Sequence, residues 1–192
     1  MSYLNRDERR EVILQAAMRG ALEEGFTAMT VRRIAAEAHV ATGQVHHHFT
    51  SAGELKSQAF IRLIRTLLDA ELVSEDASFR ERLHAMLGSE DGGFEPYIKL
   101  WREAQVVAGK DPEIKSAYLL TMRMWHEETA NIIIQGQKAG EFSSSPDAAD
   151  VAWRLIALVC GLDGMYMLGI EEMADPAFDR HLDRMITLEL FS

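Results

Sequence analysis

The feature that most limits what this chain can fold into is residues 27–55, TAMTVRRIAAEAHVATGQVHHHFTSAGEL. Apolar side chains recur there at helical spacing, first Val31, Ile34, Ala35 and Ala38, then Val45 and Phe49. The pattern predicts two short helices, each with one inward face, around a break at residues 39–41. Thr30 is placed to cap the first of them, and its alanines allow close helix approach. Ser51 and Glu54 form S-x-x-E, which predicts a capping box opening a third, longer helix. A pair of small helices with one apolar and one polar face is how a protein presents a helix to the DNA major groove.

The rest of the chain reads as helix too. Asn5 with Glu8 is an N-cap signal, followed by Val12, Ile13, Ala16, Ala17 and Ala21, and Gly25 is the expected stop. The helix opened by Ser51 is expected to run to about residue 72 through Leu55, Phe60, Ile61, Ile64, Leu67 and Leu68. Further starts fall at Ser78 with Glu81, at Asp111–Pro112 and at Asp175–Pro176, with a loop from Gly88 to Gly93 and a stop at Gly140. Residues 151–168, VAWRLIALVCGLDGMYML, are apolar nearly all round, so that helix must be covered on most sides. No strand pattern of period two occurs. The fold class is therefore all-α: an N-terminal three-helix helix-turn-helix domain, residues 1–52, and a larger helical bundle, residues 53–192. The long helix from about 51 to 72 joins them.

Composition narrows the partners. The chain has 192 residues and a formal net charge of −10, which alone would argue against binding a polyanion. The charge is uneven, however: residues 1–65 carry a net +2 and residues 66–192 a net −12. Four of the seven histidines, His39, His46, His47 and His48, also lie in the first part. Such asymmetry fits a nucleic-acid module fused to an acidic body. No apolar run is long enough to span a membrane, and the charged start MSYLNRDERREV does not resemble an export signal. The single cysteine, Cys160, excludes an internal disulfide and a cysteine zinc cage. A cytoplasmic protein without cofactor or metal is expected.

The polar face of the second short helix carries the chemistry. Gly43 has no side chain and lets the backbone come close to DNA. Gln44 offers a bidentate donor–acceptor pair suited to adenine, and Thr42 suits a phosphate or a thymine methyl. Val45 and Phe49, four apart, anchor the helix inward, which leaves His46 and His47 outward. Adjacent histidines do not share a helix face and no carboxylate or cysteine pair completes a set, so a metal site is not expected; His48 reads as a packed or capping residue. Thr30 and Arg32 are candidate phosphate contacts at the start of the first short helix, where a plain solvated surface is the alternative.

The pattern T-V-R-R-I-A-A-E-A-x-V-A-x-G-x-V-x-x-H-F-x-S-x-x-E-L resembles the DNA-binding domain of the TetR family of bacterial transcriptional repressors. Three positions depart from that family's usual residues: His39 stands for the turn glycine, His46 for a phosphate-binding tyrosine, and Ala52 for a lysine after the capping serine. Lys56, one turn on, is placed to restore part of the missing charge. The resemblance implies a ligand-responsive repressor that binds a palindromic double-stranded DNA operator as a homodimer and is released by a small molecule. It implies too that the 151–168 helix and the final helix form a four-helix dimer interface, with Ala157, Gly161 and Gly164 permitting close packing. Candidate effector contacts are Tyr97, Trp101, Met122, Trp125, His126 and Tyr166, with Asp163 as an internal charge; a stripe of this kind serves equally as core. Gly161 to Tyr166, G-L-D-G-M-Y, resembles the corresponding helix of the choline-responsive BetI-type repressors, and aromatics around a carboxylate suit an organic cation or a lipophilic compound.

No nucleophile elbow, P-loop, dinucleotide fingerprint or H-E-x-x-H is present, so no enzymatic activity is expected. A helical-bundle enzyme or a protein-interaction adaptor is the alternative class.

Overall fold

The computed structural model describes residues 5–70, 72–88, 94–170, 172 and 175–191. Every element among them is an α-helix. The chain forms two compact units, residues 1–69 with 92–122 and residues 70–91 with 123–192.

The first unit is built around α1 (Arg6–Ala28). Its capping box is complete: the Asn5 side chain accepts from the Glu8 amide at 2.9 Å and the Glu8 carboxylate accepts from the Asn5 amide at 2.7 Å. Two orphan amides of the first turn are thereby satisfied. Against α1 pack α2 (Val31–Glu37), α3 (Thr42–His48), α4 (Ala52–Leu68) and α6 (Glu95–Val107). The shared core holds Ile13, Leu14, Ala17, Phe26, Val45, Phe49, Leu55, Phe60, Ile64, Leu100 and Ile114, all essentially inaccessible. Each large side chain of this set contributes roughly 1.5–3 kcal/mol by leaving water. α4 ends at Leu68, one turn short of the expected position, and Leu72 and Val73 beyond it are exposed.

The expected stop at Gly25 takes an unusual form. Regular helix breaks there, because Gly25 adopts φ 74° and ψ −179°, and one further turn carries the chain to Ala28. That backbone region is open essentially to glycine alone. The space is reserved as well: a Cβ on Gly25 would lie 2.1 Å from a carboxylate oxygen of Glu103.

In the second unit, α5 (Phe79–Leu87), the later part of α7 (Pro112–Lys138), α8 (Ala148–Met167) and α9 (Asp175–Leu190) bury Leu83, Leu87, Ile133, Phe142, Leu155, Leu182, Ile186 and Leu190. α7 itself begins in the first unit. Its start is as read from the sequence, the Asp111 side chain accepting from the amides of Glu113 and Ile114 at 2.9 and 3.1 Å. The Ser78–Glu81 capping box on α5 is complete, and Glu141 adds a second carboxylate at that end, accepting from the Phe79 and Arg80 amides at 2.9 Å each. Arg80 also binds Asp183 and Thr187 of α9, and its guanidinium beside Asp183 holds that carboxyl below the usual aspartate range. The 89–93 part of the expected loop and the side chain of Asp175 lie outside the described residues.

The helix that must be covered on most sides is open along one face. Trp153, Ala157, Cys160, Gly161, Gly164 and Met165 of α8 are all exposed in the single chain.

Gly25→Ala is expected to lower the stability of the DNA-free protein by roughly 1–3 kcal/mol, the cost of forcing a side chain into this backbone region. A urea midpoint equal to that of the parent protein would show that the turn relaxes freely.

Candidate nucleic-acid interface

The pairing of α2 with α3 depends on local rules that the sequence obeys closely. Thr30 Oγ1 accepts from the Arg33 amide at 3.2 Å and opens α2. Ile34, Ala35 and Ala38 are buried on the inward side. The turn passes through His39, whose φ of 54° is the left-handed conformation expected at this position. Histidine is among the non-glycine residues that tolerate it, at a cost of order 1–3 kcal/mol. Val40 N then bonds back to Ala35 O at 2.9 Å, and α3 starts at Thr42.

α3 is fixed by two side chains, Val45 at 1% and Phe49 at 2% exposure. With those turned inward, Thr42, Gly43, His46 and His47 are exposed and Gln44 is half-buried. Nothing lies within 4 Å of where a Gly43 Cβ would be, so this glycine is an open, close-approach position rather than a packing requirement. Thr30 and Arg32 on α2 are exposed, and Lys56 on α4 is half-buried. Arg33, next to Arg32 in sequence, is bonded to Glu24. The residues expected to meet DNA thus share one unit, most of them on exposed positions of α2 and α3.

The capping of α4 differs from the expected box. Ser51 Oγ accepts from the Glu54 amide at 2.8 Å, but Glu54 reaches back to Thr50, accepting from its amide and hydroxyl at 2.6 Å each. These bonds hold the Glu54 carboxyl below the usual glutamate range. The Ser51 hydroxyl instead donates to the Glu113 carboxylate, 2.9 and 3.0 Å from its two oxygens.

His48 is the one imidazole of the three that turns inward. Its Nδ1 is buried without a hydrogen-bond partner. Burial first, then the positive charges of His47, Arg6, Arg9 and Arg10, hold it below the usual imidazole value. Arg10 of α1 lies at the end of α3, its guanidinium 4.7 Å from the centre of the Phe49 ring. The RDERR run after Asn5 signalled this only once the capping box had fixed the helix start and its faces.

Residues 13–55 match the family described as "Bacterial regulatory proteins, tetR family", and residues 79–190 match the "BetI-type transcriptional repressor, C-terminal" family. The chain belongs to the TetR family of transcriptional regulators. Its DNA-binding helix-turn-helix and all-helical architecture are those of that family. A regulator named BetI from Burkholderia cenocepacia is 24% identical over 170 residues, which span 85% of this chain and 83% of that protein. Among solved structures, a putative transcriptional regulator from Saccharomonospora viridis in complex with choline superposes with a TM-score of 0.72 at 27% identity, covering 96% of this chain and 98% of that one. A putative TetR-family regulator from a Rhodococcus species gives a TM-score of 0.75 at 26% identity, with 96% and 99% covered.

The residues expected to bind an effector fall in both units. In the first, Trp101 packs against Phe60 and Tyr118 with ring centroids 6.0 and 5.1 Å apart, and Tyr97 and Met122 are half-buried. In the second, Trp125 Nε1 donates to the Met86 carbonyl at 3.1 Å. His126 stacks on Trp153, with centroids 4.1 Å apart, and bonds the Ala149 carbonyl at 2.9 Å. Tyr166 is 48% exposed and Asp163 is only half-buried, so within the single chain Asp163 is not the interior charge expected of it. Among the described residues no three His, Cys, Asp or Glu side chains gather as a metal set.

The His48 environment fixes the sign of a pH effect. Unfolded, the imidazole titrates near about 6.5, and folded it titrates lower, so the folded state favours the neutral form. The resulting stabilisation is present above about pH 6.5 and is lost as the pH falls through the folded value. Melting temperature of the DNA-free protein should therefore fall from pH 7 to pH 5. His48→Asn, which takes up no proton, should flatten part of that fall; an identical slope in parent and variant would show that His48 is not the group sensed.

Proposed function

We propose that this regulator is a ligand-responsive repressor that binds a palindromic operator as a homodimer and is released by a small molecule. The observation that carries the reading is the placement of Thr42, Gly43, Gln44, His46 and His47 on a helix whose other side is locked by Val45 and Phe49. In this reading α3 enters the major groove, Gln44 pairs with an adenine edge, Thr42 meets a phosphate or thymine methyl, and His46, His47, Thr30, Arg32 and Lys56 hold the backbone. Residues 1–52 are the reading domain, and residues 53–192 serve the effector and the dimer.

One short helix reads too few base pairs for useful specificity. Two copies reading half-sites about 34–36 Å apart supply it. The uncovered face of α8 supports such a pairing. Trp153, Ala157, Cys160, Gly161 and Gly164 recur at helical spacing, and beyond the adjoining backbone of α8 and the flanking residues nothing lies within 4 Å of a Cβ placed on Gly161 or Gly164. With exposed Leu188 of α9 they form an apolar surface suited to a second copy of the chain.

The effector class rests on the choline named for the Saccharomonospora viridis relative and on the BetI-type match of residues 79–190. Aromatic rings and carboxylates attract quaternary ammonium groups. Tyr97, Trp101, Met122, Trp125, His126, Asp163 and Tyr166 are the proposed contacts, and choline is the first ligand to test. Calorimetry in which choline fails to bind while neutral or anionic lipophiles bind would overturn the cation reading.

In a gel shift with DNA flanking its own gene, the protein should bind specifically and with steep salt dependence, each neutralised phosphate adding about −0.9 to the log–log slope. Gln44→Ala should weaken operator binding roughly tenfold or more and relax discrimination at one base pair, following the 1–3 kcal/mol typical of a bidentate contact. Thr42→Ala should weaken it less. Absence of any shift at low salt would favour a helical adaptor or enzyme instead. Gly161→Arg, placed where a side chain meets open space, should leave the fold intact, abolish the dimer in sedimentation and weaken operator binding. A dimeric Gly161→Arg protein would exclude this face of α8.

A further inference from the structure

His46 stands where the TetR family usually carries a tyrosine, and His47 follows it. Two of the groups proposed to hold the DNA backbone are therefore side chains whose charge changes within the physiological pH range. Both are exposed, in the last turn of α3. An imidazole ordinarily exchanges its proton near about pH 6.5. The neutral ring offers a phosphate one N–H, whereas the imidazolium offers two and a full positive charge. A phosphate favours the charged form, so its arrival draws a proton onto the ring that it meets. The carboxylates on the surrounding helices are engaged elsewhere. On α1, Glu8 belongs to the Asn5 capping box and Glu11 bonds Gln15 and Arg62. On α2, Glu37 lies 3.0 Å from Arg19, and at the start of α4 Glu54 accepts from Thr50. Asp7 is exposed in the first turn of α1. Among the cations of these helices, Arg10 bonds Gln58 and Arg33 bonds Glu24, with Arg32 on α2 and Lys56 on α4 completing the surroundings. Inward of His47, the ring of His48 lies 5.4 Å away and favours its neutral form, because of burial first and then the charges of His47, Arg6, Arg9 and Arg10. His47 thus shares its neighbourhood with positive charge, and phosphates reverse the sign of that field.

We infer that this regulator takes up protons as it binds DNA, through His46 and His47, so that its grip tightens as the pH falls from 8 to 6. The proposal rests on the DNA-binding reading above and adds to it a linkage between operator occupancy and pH. The contacts are to the backbone and carry no base information, so the linkage is the same on any duplex. A tyrosine at position 46 would stay neutral across this range, so that share of the linkage belongs to the histidine.

The test measures the affinity of the full-length protein by fluorescence anisotropy at pH 6, 7 and 8 and constant ionic strength. The probes are duplex DNA flanking its own gene and an unrelated duplex, with circular dichroism showing a folded protein at each pH. For any imidazole whose proton is held tenfold more tightly in the complex, binding is roughly fivefold tighter at pH 6 than at pH 8. The parent protein should show at least that difference on both duplexes. Calorimetry in two buffers of different ionisation enthalpy should show net proton uptake on binding at pH 7. His46→Gln and His47→Gln should each reduce the pH dependence, and the double variant should lose it while still binding DNA more weakly. His47→Arg, a permanent cation, should bind more tightly than the parent at pH 8 and keep only the share of the dependence due to His46. His39→Asn replaces the exposed imidazole of the turn by a residue that also tolerates its φ of 54°, and should keep the parental dependence. Equal affinity of the parent at pH 6 and pH 8, absence of proton uptake, or parental dependence in the double variant would overturn the proposal while leaving the operator reading intact. Failure of the parent protein to bind either duplex at any pH would remove the operator reading itself, and the proposal with it.

Discussion

The Glu103 carboxylate accepts from the amides of Phe26 and Thr27 at 2.9 and 3.1 Å, and the reading head is set by that contact. The two amides lie where α1 breaks, and the part-buried Phe26 amide left bare would cost about 1–3 kcal/mol. A carboxylate of α6 satisfies both at once, which requires its oxygens to approach the backbone more closely than any residue but glycine allows. Gly25 supplies that room and the positive φ together. Once the corner is held, Phe26 is directed inward against Phe60, Thr30 falls at the start of α2, and the direction of α3 follows from the short turn at His39. A second carboxylate, Glu113, holds the Ser51 hydroxyl at the opening of α4 and lies where a Gly53 Cβ would be. Helices from the later part of the chain therefore hold both ends of the helix-turn-helix.

These two carboxylates show where the sequence stops being readable. Helix existence, caps and inward faces depend on residues within four positions of one another, and Asn5–Glu8, Thr30, Ser78–Glu81, Asp111 and Val45–Phe49 are placed as local rules require. Glu103 and Glu113 act across 77 and 62 residues. Nothing in their immediate surroundings distinguishes them from solvated glutamates on a helix surface. The same limit explains Glu54, which lies at the right spacing for a capping box but finds a better pair of donors in Thr50. Gly25 was readable as a stop, while the reason for its being glycine lay on another helix. The effector residues were the least legible, since an aromatic at helical spacing packs a core and lines a pocket by the same pattern; Trp101, half-buried between Phe60 and Tyr118, is compatible with both uses.

The charge distribution takes on a physical meaning in this frame. A net −10 spread evenly would repel DNA at every approach, but over distances beyond about 10 Å that repulsion is screened at ordinary salt. What counts is the charge within one such length of the phosphates. On the head, several cations are already spent on partners: Arg33 on Glu24, Arg19 on Glu37, Arg62 on Glu11, and Arg10 on Gln58 and Phe49. The positive charge left to meet DNA is therefore smaller than the count of arginines suggests, and its position matters more than its total.

Small positive charge and short reading helix lead to one requirement. Affinity from a single head is set by a few phosphate contacts and one or two base edges, each contributing only a few kcal/mol. Linking two heads turns the second binding event into an intramolecular one and can raise the overall affinity by orders of magnitude without any new kind of contact. The gain is lost when the spacing of the heads no longer matches the half-sites. An effector then needs no direct access to the DNA. In the ligand-released dimer proposed above, shifting the spacing of two linked heads is enough to reduce binding toward that of one, and weak individual heads suit such a release. In the dimer proposed above, the open face of α8 would make that linkage, because the small residues Ala157, Gly161 and Gly164 leave room for a second helix to approach closely.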